Sequence, residues 1–266
     1  MAIASTESAP PGTENTEAFL EVLKGRVSSN NFSHSESLVA ERHFRSAIAL
    51  DPNFARAYAE LGTLLAVRFE NDWTVLIDAD KEKSLFYAQQ AVALEPDLWL
   101  GHYALARLHS VFGDPDAAET HLNVAMSLEP DNEDARAYLG IVKNFQGDAE
   151  GAIAILEPAV RSHPNPPYWY YFGLGHALFN AGQLEQAETA LNACLKRAEN
   201  SPYCLRYLIA VYGEGGRHAE ARKAGQTYAA MGFDLSVDGI LKLMTYHHAD
   251  DRAQLEQALR MAGVPD

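Results

Sequence analysis

Apolar residues recur along the chain at spacings of three and four, in stretches separated by Gly- and Pro-marked breaks. Ala118, Leu122 and Ala125 form one such set, and Ala152, Leu156 and Ala159 form another. This spacing lines one face of an α-helix. Reading the periods along the chain predicts helices at 16–27, 36–50, 53–70, 81–94, 97–112, 115–128, 132–146, 149–161, 167–180, 184–198, 202–214 and 218–230. A further pair follows at 236–246 and 250–261. The predicted fold class is all-α.

The helices repeat. A shift of 34 places Leu105 on Leu139, Gly113 on Gly147, Ala118 on Ala152, Leu122 on Leu156, Ala125 on Ala159 and Pro130 on Pro164. A further shift of 35 carries Gly140 to Gly175, Gly147 to Gly182, Leu156 to Leu191 and Ala159 to Cys194, and another 34 brings Gly182 to Gly216 and Ala187 to Ala221. A fixed period of this length signals stacked helix pairs. Upstream, Pro52 and Pro96 are 44 apart, so that unit is longer, with the extra residues placed within 70–80.

Each unit has a physical logic. The first helix opens after an Asp-Pro or Glu-Pro step, because proline disfavours helix in the residue before it and is tolerated in a first turn. A small residue midway along (Gly62, Ala106, Gly140, Gly175) lets the second helix approach closely. Gly113, Gly147, Gly182 and Gly216 then supply the left-handed turn between the two helices.

Length and composition refine this picture. The 47% hydrophobic content supplies a continuous core, and 36 acidic against 21 basic residues leave a formal charge of -15. Such a surface repels phosphate backbones and anionic lipids, which argues against nucleic acid and against direct membrane insertion. No run reaches the roughly 18 apolar residues of a membrane span. Residues 1–14 read as a flexible tail, and the chain as given reads as cytoplasmic; an exported or tethered parent with a trimmed leader fits the same start. Cys194 and Cys204 match neither a redox pair nor a zinc pattern and read as packing residues. A bond between them would require Cα atoms within about 7 Å.

The pattern DPNFARAYAELG, the Ala-Leu-Ala-Pro second helix and the 34-residue period resemble the tetratricopeptide repeat (TPR) family. The resemblance covers about 15–230 and implies a right-handed superhelical solenoid of five to six antiparallel helix pairs, expanded at 53–96, with residues 231–266 as capping helices. The opening and tail segments are similar to TPR regions of bacterial adenylate cyclase-like and winged-helix regulators, which implies the regulatory part of a signalling protein.

In this family the first helix of each pair lines the concave groove. The stripe here would comprise Arg56, Ala59 and Thr63; Tyr103, Arg107 and Ser110; Ala137, Ile141 and Asn144; Trp169, Phe172, His176 and Phe179; and Tyr203, Arg206 and Ala210. Aromatic rings bury area with few rotors, and arginine offers a planar fork to carboxylates. Partner contacts are therefore expected at Tyr103, Arg107, Asn144, Trp169, Phe172, His176, Tyr203 and Arg206, although aromatics at helical spacing more often pack a core. The run from Tyr168 to Phe172 covers every side of a helix, so it cannot be buried against one neighbour. Ala59 and Thr63 stand where chaperone-tail adaptors of the family use Lys and Asn.

Catalytic signatures are missing: there is no HExxH spacing, serine elbow or phosphate-cradling loop. Adjacent His247 and His248 diverge on a helix, so no metal and no cofactor is expected. The reading is a non-catalytic scaffold that binds a protein or peptide partner. Self-assembly into a homo-oligomer is the alternative, followed by a small-molecule pocket near Trp73.

Overall fold

The computed structural model of the chain describes residues 11–31, 33–71, 73, 78–199, 201–242 and 248–266. Among them are fourteen α-helices and no strand. In chain order they are α1 (Thr16–Asn30), α2 (His34–Leu50), α3 (Ala55–Glu70), α4 (Asp78–Leu94), α5 (Trp99–Val111), α6 (Pro115–Leu128), α7 (Glu133–Phe145), α8 (Ala149–Ser162), α9 (Tyr168–Asn180), α10 (Leu184–Arg197), α11 (Pro202–Glu214), α12 (His218–Ala230), α13 (Val237–Lys242) and α14 (Ala249–Met261). Every helix read from the apolar period is present. The 236–246 segment is seen as helix only to Lys242, and its remainder lies outside the described residues. The expected insertion at 70–80 falls only in part among the described residues, with 72 and 74–77 outside them.

Local chemistry accounts for the helix ends. Asn15 accepts hydrogen bonds from the Glu17 and Ala18 amides, Ser33 from Glu36, Asn132 from Ala135 and Asp148 from Gly151. Each satisfies donors that the first helical turn leaves unpaired. Between paired helices, Gly113, Gly147, Gly182 and Gly216 all adopt positive φ, from 67° to 87°. This is the left-handed cap that their spacing predicts, and a Cβ there would be strained.

Two compact units are present, one formed by residues up to 112 with 123–130, the other by 113–122 with residues from 131 onward. In the first, α1 to α3 enclose Ala18, Val22, Ala40, Phe44, Ala47, Phe54 and Leu61. Ala66, Phe69, Ala88, Ala104, Leu105 and Leu108 form the next layer. Arg68 is buried between them, donating to the Ser37 hydroxyl and carbonyl and to Glu41.

In the second unit the helix pairs α7/α8, α9/α10 and α11/α12 pack in sequence. Their second helices bury the expected ladders Ala152, Leu156, Ala159 and Ala187, Leu191, Cys194. The first helices bring small residues to meet them. A Cβ built on Gly140 would lie 2.7 Å from Leu156 Cγ, and one on Gly175 2.6 Å from Leu191 Cγ.

One expectation is corrected here. Cys194 of α10 and Cys204 of α11, read as separate packing residues, form a disulfide with Cα atoms 6.5 Å apart. Both are fully buried, so they pack and also cross-link. The repeat stacking is the reason: α10 and the next first helix α11 are neighbours, and the ten-residue separation spans the turn between them.

Candidate functional site

The expected partner contacts separate into two groups. Tyr103 and Arg107 sit on α5 in the first unit, and both are buried. Arg107 donates from Nε to Glu70 Oε1 at 3.0 Å and from Nη2 to Glu70 Oε2, and its guanidinium lies 5.6 Å above the Tyr103 ring. Its fork is engaged by a carboxylate at the end of α3. Breaking such a buried pair leaves an uncompensated charge, so Arg107 braces α5 against α3.

The remaining six lie in the second unit, where α9 and α11 bring four together. Phe172 packs 5.2 Å from Tyr203, and its ring lies 5.9 Å from that of His176. His176 is fully buried and shares a hydrogen bond of 2.7 Å with the hydroxyl of Tyr207, a residue the sequence reading did not select. Burial lowers the His176 pKa from its ordinary value to about 3, so the ring is neutral. Arg206 has no exposed surface; its guanidinium lies 4.8 Å from the Tyr203 ring centroid and 5.7 Å from that of Tyr228.

Asn144 is buried and accepts a hydrogen bond from Asn180 Nδ2 at 3.1 Å, tying the ends of α7 and α9. Trp169 stands apart at the start of α9, with its ring 6.2 Å from Tyr138 and 4.3 Å from Tyr170. Only Trp169, Phe172 and Tyr203 of the eight keep partial exposure. The aromatic run divides as its length requires. Tyr170 is buried with its hydroxyl on Asp134, while Tyr168, Trp169, Tyr171 and Phe172 are partly exposed.

The C-terminal ends of these first helices carry something else. The chain returns after α12, and α14 packs on α11. Gln254 Nε2 donates to the Phe179 carbonyl at 3.0 Å, and the His248 ring rests against Gly147 in the turn after α7. Leu255, Ala258 and Leu259 face inward with no exposure. Burial raises the Glu214 pKa, an effect opposed by its hydrogen bond with Gln254. Segment 231–236 meanwhile covers α12, with Phe233 stacked 5.1 Å from Tyr228 and Leu235 against Gly225. The sequence carried a signal for the α14 seat in Gly213, which the repeat offsets align with Asn144 and Phe179 of the groove stripe.

Other candidate chemistry is placed as follows. His248 Nδ1 lies 3.6 Å from Asp251, while Tyr246 and His247 fall outside the described residues. Trp73 stacks on His34 at 6.2 Å. No helix of the described residues is long and apolar enough to cross a membrane.

Tandem antiparallel helix pairs define a helical-repeat scaffold. Residues 112–172 and 146–210 match a family model described as Tetratricopeptide repeat, and 99–123 match a second of the same description. Tetratricopeptide repeats thus occupy residues 99–210 of the chain. No curated protein matches it in sequence.

Among solved structures it is similar to PilW, a widely conserved type IV pilus biogenesis factor, at 18% identity and TM-score 0.55, covering 74% of this chain and 90% of that one. It is also similar to a chain of the APC/C hetero-tetramer Cut9-Hcn1 (17%, TM-score 0.62, 91% and 46% covered) and to an IFIT1 monomeric mutant with Gppp-AAAA (15%, TM-score 0.69, 80% and 50%). At these identities the likeness establishes the fold alone.

The buried neutral His176 has a consequence for stability. Its folded pKa lies below the ordinary value of 6.5, so as pH falls below 6.5 the unfolded chain takes up a proton that the folded chain refuses. Stability is lost at about 1.4 kcal/mol per pH unit, or about 2 kcal/mol by pH 5. Urea unfolding at pH 7.5 and pH 5 should show this loss in the wild type, and His176→Phe should show about 2 kcal/mol less of it.

Proposed function

We propose that this protein is a non-catalytic scaffold that binds a protein or peptide partner on the groove side of its first helices, with Trp169, Phe172 and Tyr203 as the contacting side chains. The observation that carries this reading is the half-exposed aromatic group at the N-terminal ends of α9 and α11, ordered by its neighbours before any partner arrives. Rings already held in place lose little entropy on binding, which favours such residues at interfaces. In this reading His176 and Arg206 support those rings from beneath, Asn144 ties the C-terminal ends of α7 and α9, and Tyr103 and Arg107 stabilise the first unit. Affinity capture from the native lysate tests it. Trp169→Ala and Phe172→Ala should each weaken partner capture by at least about tenfold with helical content unchanged. Undiminished capture by both variants removes this assignment.

One observation favours self-association as a second reading. Leu20, Leu23 and Val27 are exposed on α1 at the spacing of a single helix face. Burying such a face in a second copy removes apolar surface from water. Sedimentation at two concentrations should then show mass rising with concentration, and Leu23→Glu should abolish the rise. A strict monomer across the micromolar range excludes this reading.

The Cys194–Cys204 disulfide supports a reading of the compartment. Disulfides persist in oxidising surroundings and are rare in the reducing cytosol. We therefore place the chain in an oxidising compartment, against the cytoplasmic expectation. Protein alkylated on release from its native cells should show no free thiol after denaturation, whereas two free thiols would restore the cytoplasmic placement.

A further inference from the structure

Helix α14 is attached differently from the paired helices of the second unit. Helices α7 to α12 alternate as first and second members of pairs, whereas α14 packs on α11 and on the short α13. It is amphipathic. Leu255, Ala258 and Leu259 are fully buried, while Arg252, Ala253, Gln257, Arg260 and Met261 face outward. This seam, Leu-x-x-Ala-Leu, lies at the i, i+3, i+4 positions with which a short helix enters a groove.

The seat is shaped for a helix backbone. Gly213 occupies the position that Asn144 and Phe179 hold in the preceding units, and a Cβ there would run into the Ala258 carbonyl and the Ala262 amide. The missing side chain allows α14 to touch α11 backbone to backbone, and the side chain that faces Gly213 there is the Ala262 methyl, which requires a small residue at the Ala262 position of the incoming helix. Polar contacts set its register. Gln254 donates to the Phe179 carbonyl, and His248 abuts Gly147. The carboxyl of Glu214 bonds Gln254 through one oxygen and keeps the other, Oε2, buried without a partner among the described residues.

We propose that the groove side of α9 and α11 is a receptor for an amphipathic helix bearing a Leu-x-x-Ala-Leu seam, that α14 is its resident occupant, and that a partner protein presenting such a helix binds by displacing α14. The inference rests on the groove reading above and names the class of partner. Selectivity comes from Gly213: a helix with a large residue at the Ala262 position is rejected by contact with the α11 backbone. The hydrogen bond between Glu214 and Gln254 favours a donor side chain one residue before the first leucine, where α14 carries Gln254.

The test uses the full-length chain and a fluorescent synthetic peptide of residues 248–266. Leu255→Glu/Leu259→Glu releases α14 from the seat, and Gly213→Leu fills the seat. The peptide is expected to bind the double variant at least ten times more tightly than the wild type. Binding should vanish when Gly213→Leu is added, and also when the peptide carries leucine at the Ala262 position. Equal affinity for wild type and double variant, or binding that survives Gly213→Leu, overturns the proposal.

Hydrogen exchange on Gly213→Ala keeps the matter decidable if the double variant fails to fold. Fast exchange confined to α14, with α9 and α11 still protected, supports a displaceable occupant. Loss of protection throughout the second unit makes α14 an integral support and overturns it. Absence of peptide binding alongside intact Trp169-dependent capture overturns this inference and leaves the groove function standing.

Discussion

The close approach of the two helices in each pair is the constraint on which the rest depends. Gly140 lies against Leu156 and Gly175 against Leu191, closer than any side chain would allow. A glycine inside a helix costs about 1 kcal/mol relative to alanine. The cost is offset because the leucine of the second helix seats directly on the first helix backbone and is fully buried there. Once the pair is fixed at this distance, the turn must reverse the chain within a few residues, which requires the positive φ at Gly147 and Gly182. The next first helix then has one place to pack, and the disulfide from Cys194 to Cys204 falls at that junction.

Much of the polar chemistry serves the same end. Arg68 is held by Ser37 and Glu41, and Arg107 by Glu70, each joining helices more than twenty-five residues apart in sequence. His176 and Tyr207 join α9 to α11 by one hydrogen bond in an otherwise aromatic layer. Isolated ion pairs of this kind add little net stability because desolvation opposes their attraction. Their geometry, however, penalises any slip of one repeat against the next, since a slip would strand a buried charge or ring nitrogen.

These facts explain what was legible in the sequence. Helix positions, the small-residue contacts and the glycine turns depend on local spacing, and spacing is written along the chain. The helical placement of the stripe was legible: His176 and Phe179 lie on α9, and Arg206 and Ala210 on α11. Their burial was not legible, because it depends on Tyr207, Tyr228 and segments far along the chain that cover them. Arginine and histidine were read as groove contacts from residue type alone, although the same groups serve equally as internal braces. The pairing of Cys194 with Cys204 was missed for a related reason. A ten-residue gap shows nothing until the helices on either side are known to be neighbours.

The placement of α14 sets a condition on any partner of the second unit. A tethered helix sits at an effective concentration in the millimolar range, so a free competitor of equal intrinsic affinity loses to it at cellular concentrations. A successful partner must therefore gain binding energy where α14 supplies none. The surface next to its seat provides that opportunity: α14 engages the C-terminal ends of α9 and α11, while Trp169, Phe172 and Tyr203 at their N-terminal ends stay partly exposed. A segment long enough to reach both ends adds aromatic contacts that α14 cannot make, and each well-packed ring contributes on the order of 1 to 2 kcal/mol or more. Discrimination then resides in the aromatic end, and the glycine at 213 restricts which helices can complete the exchange.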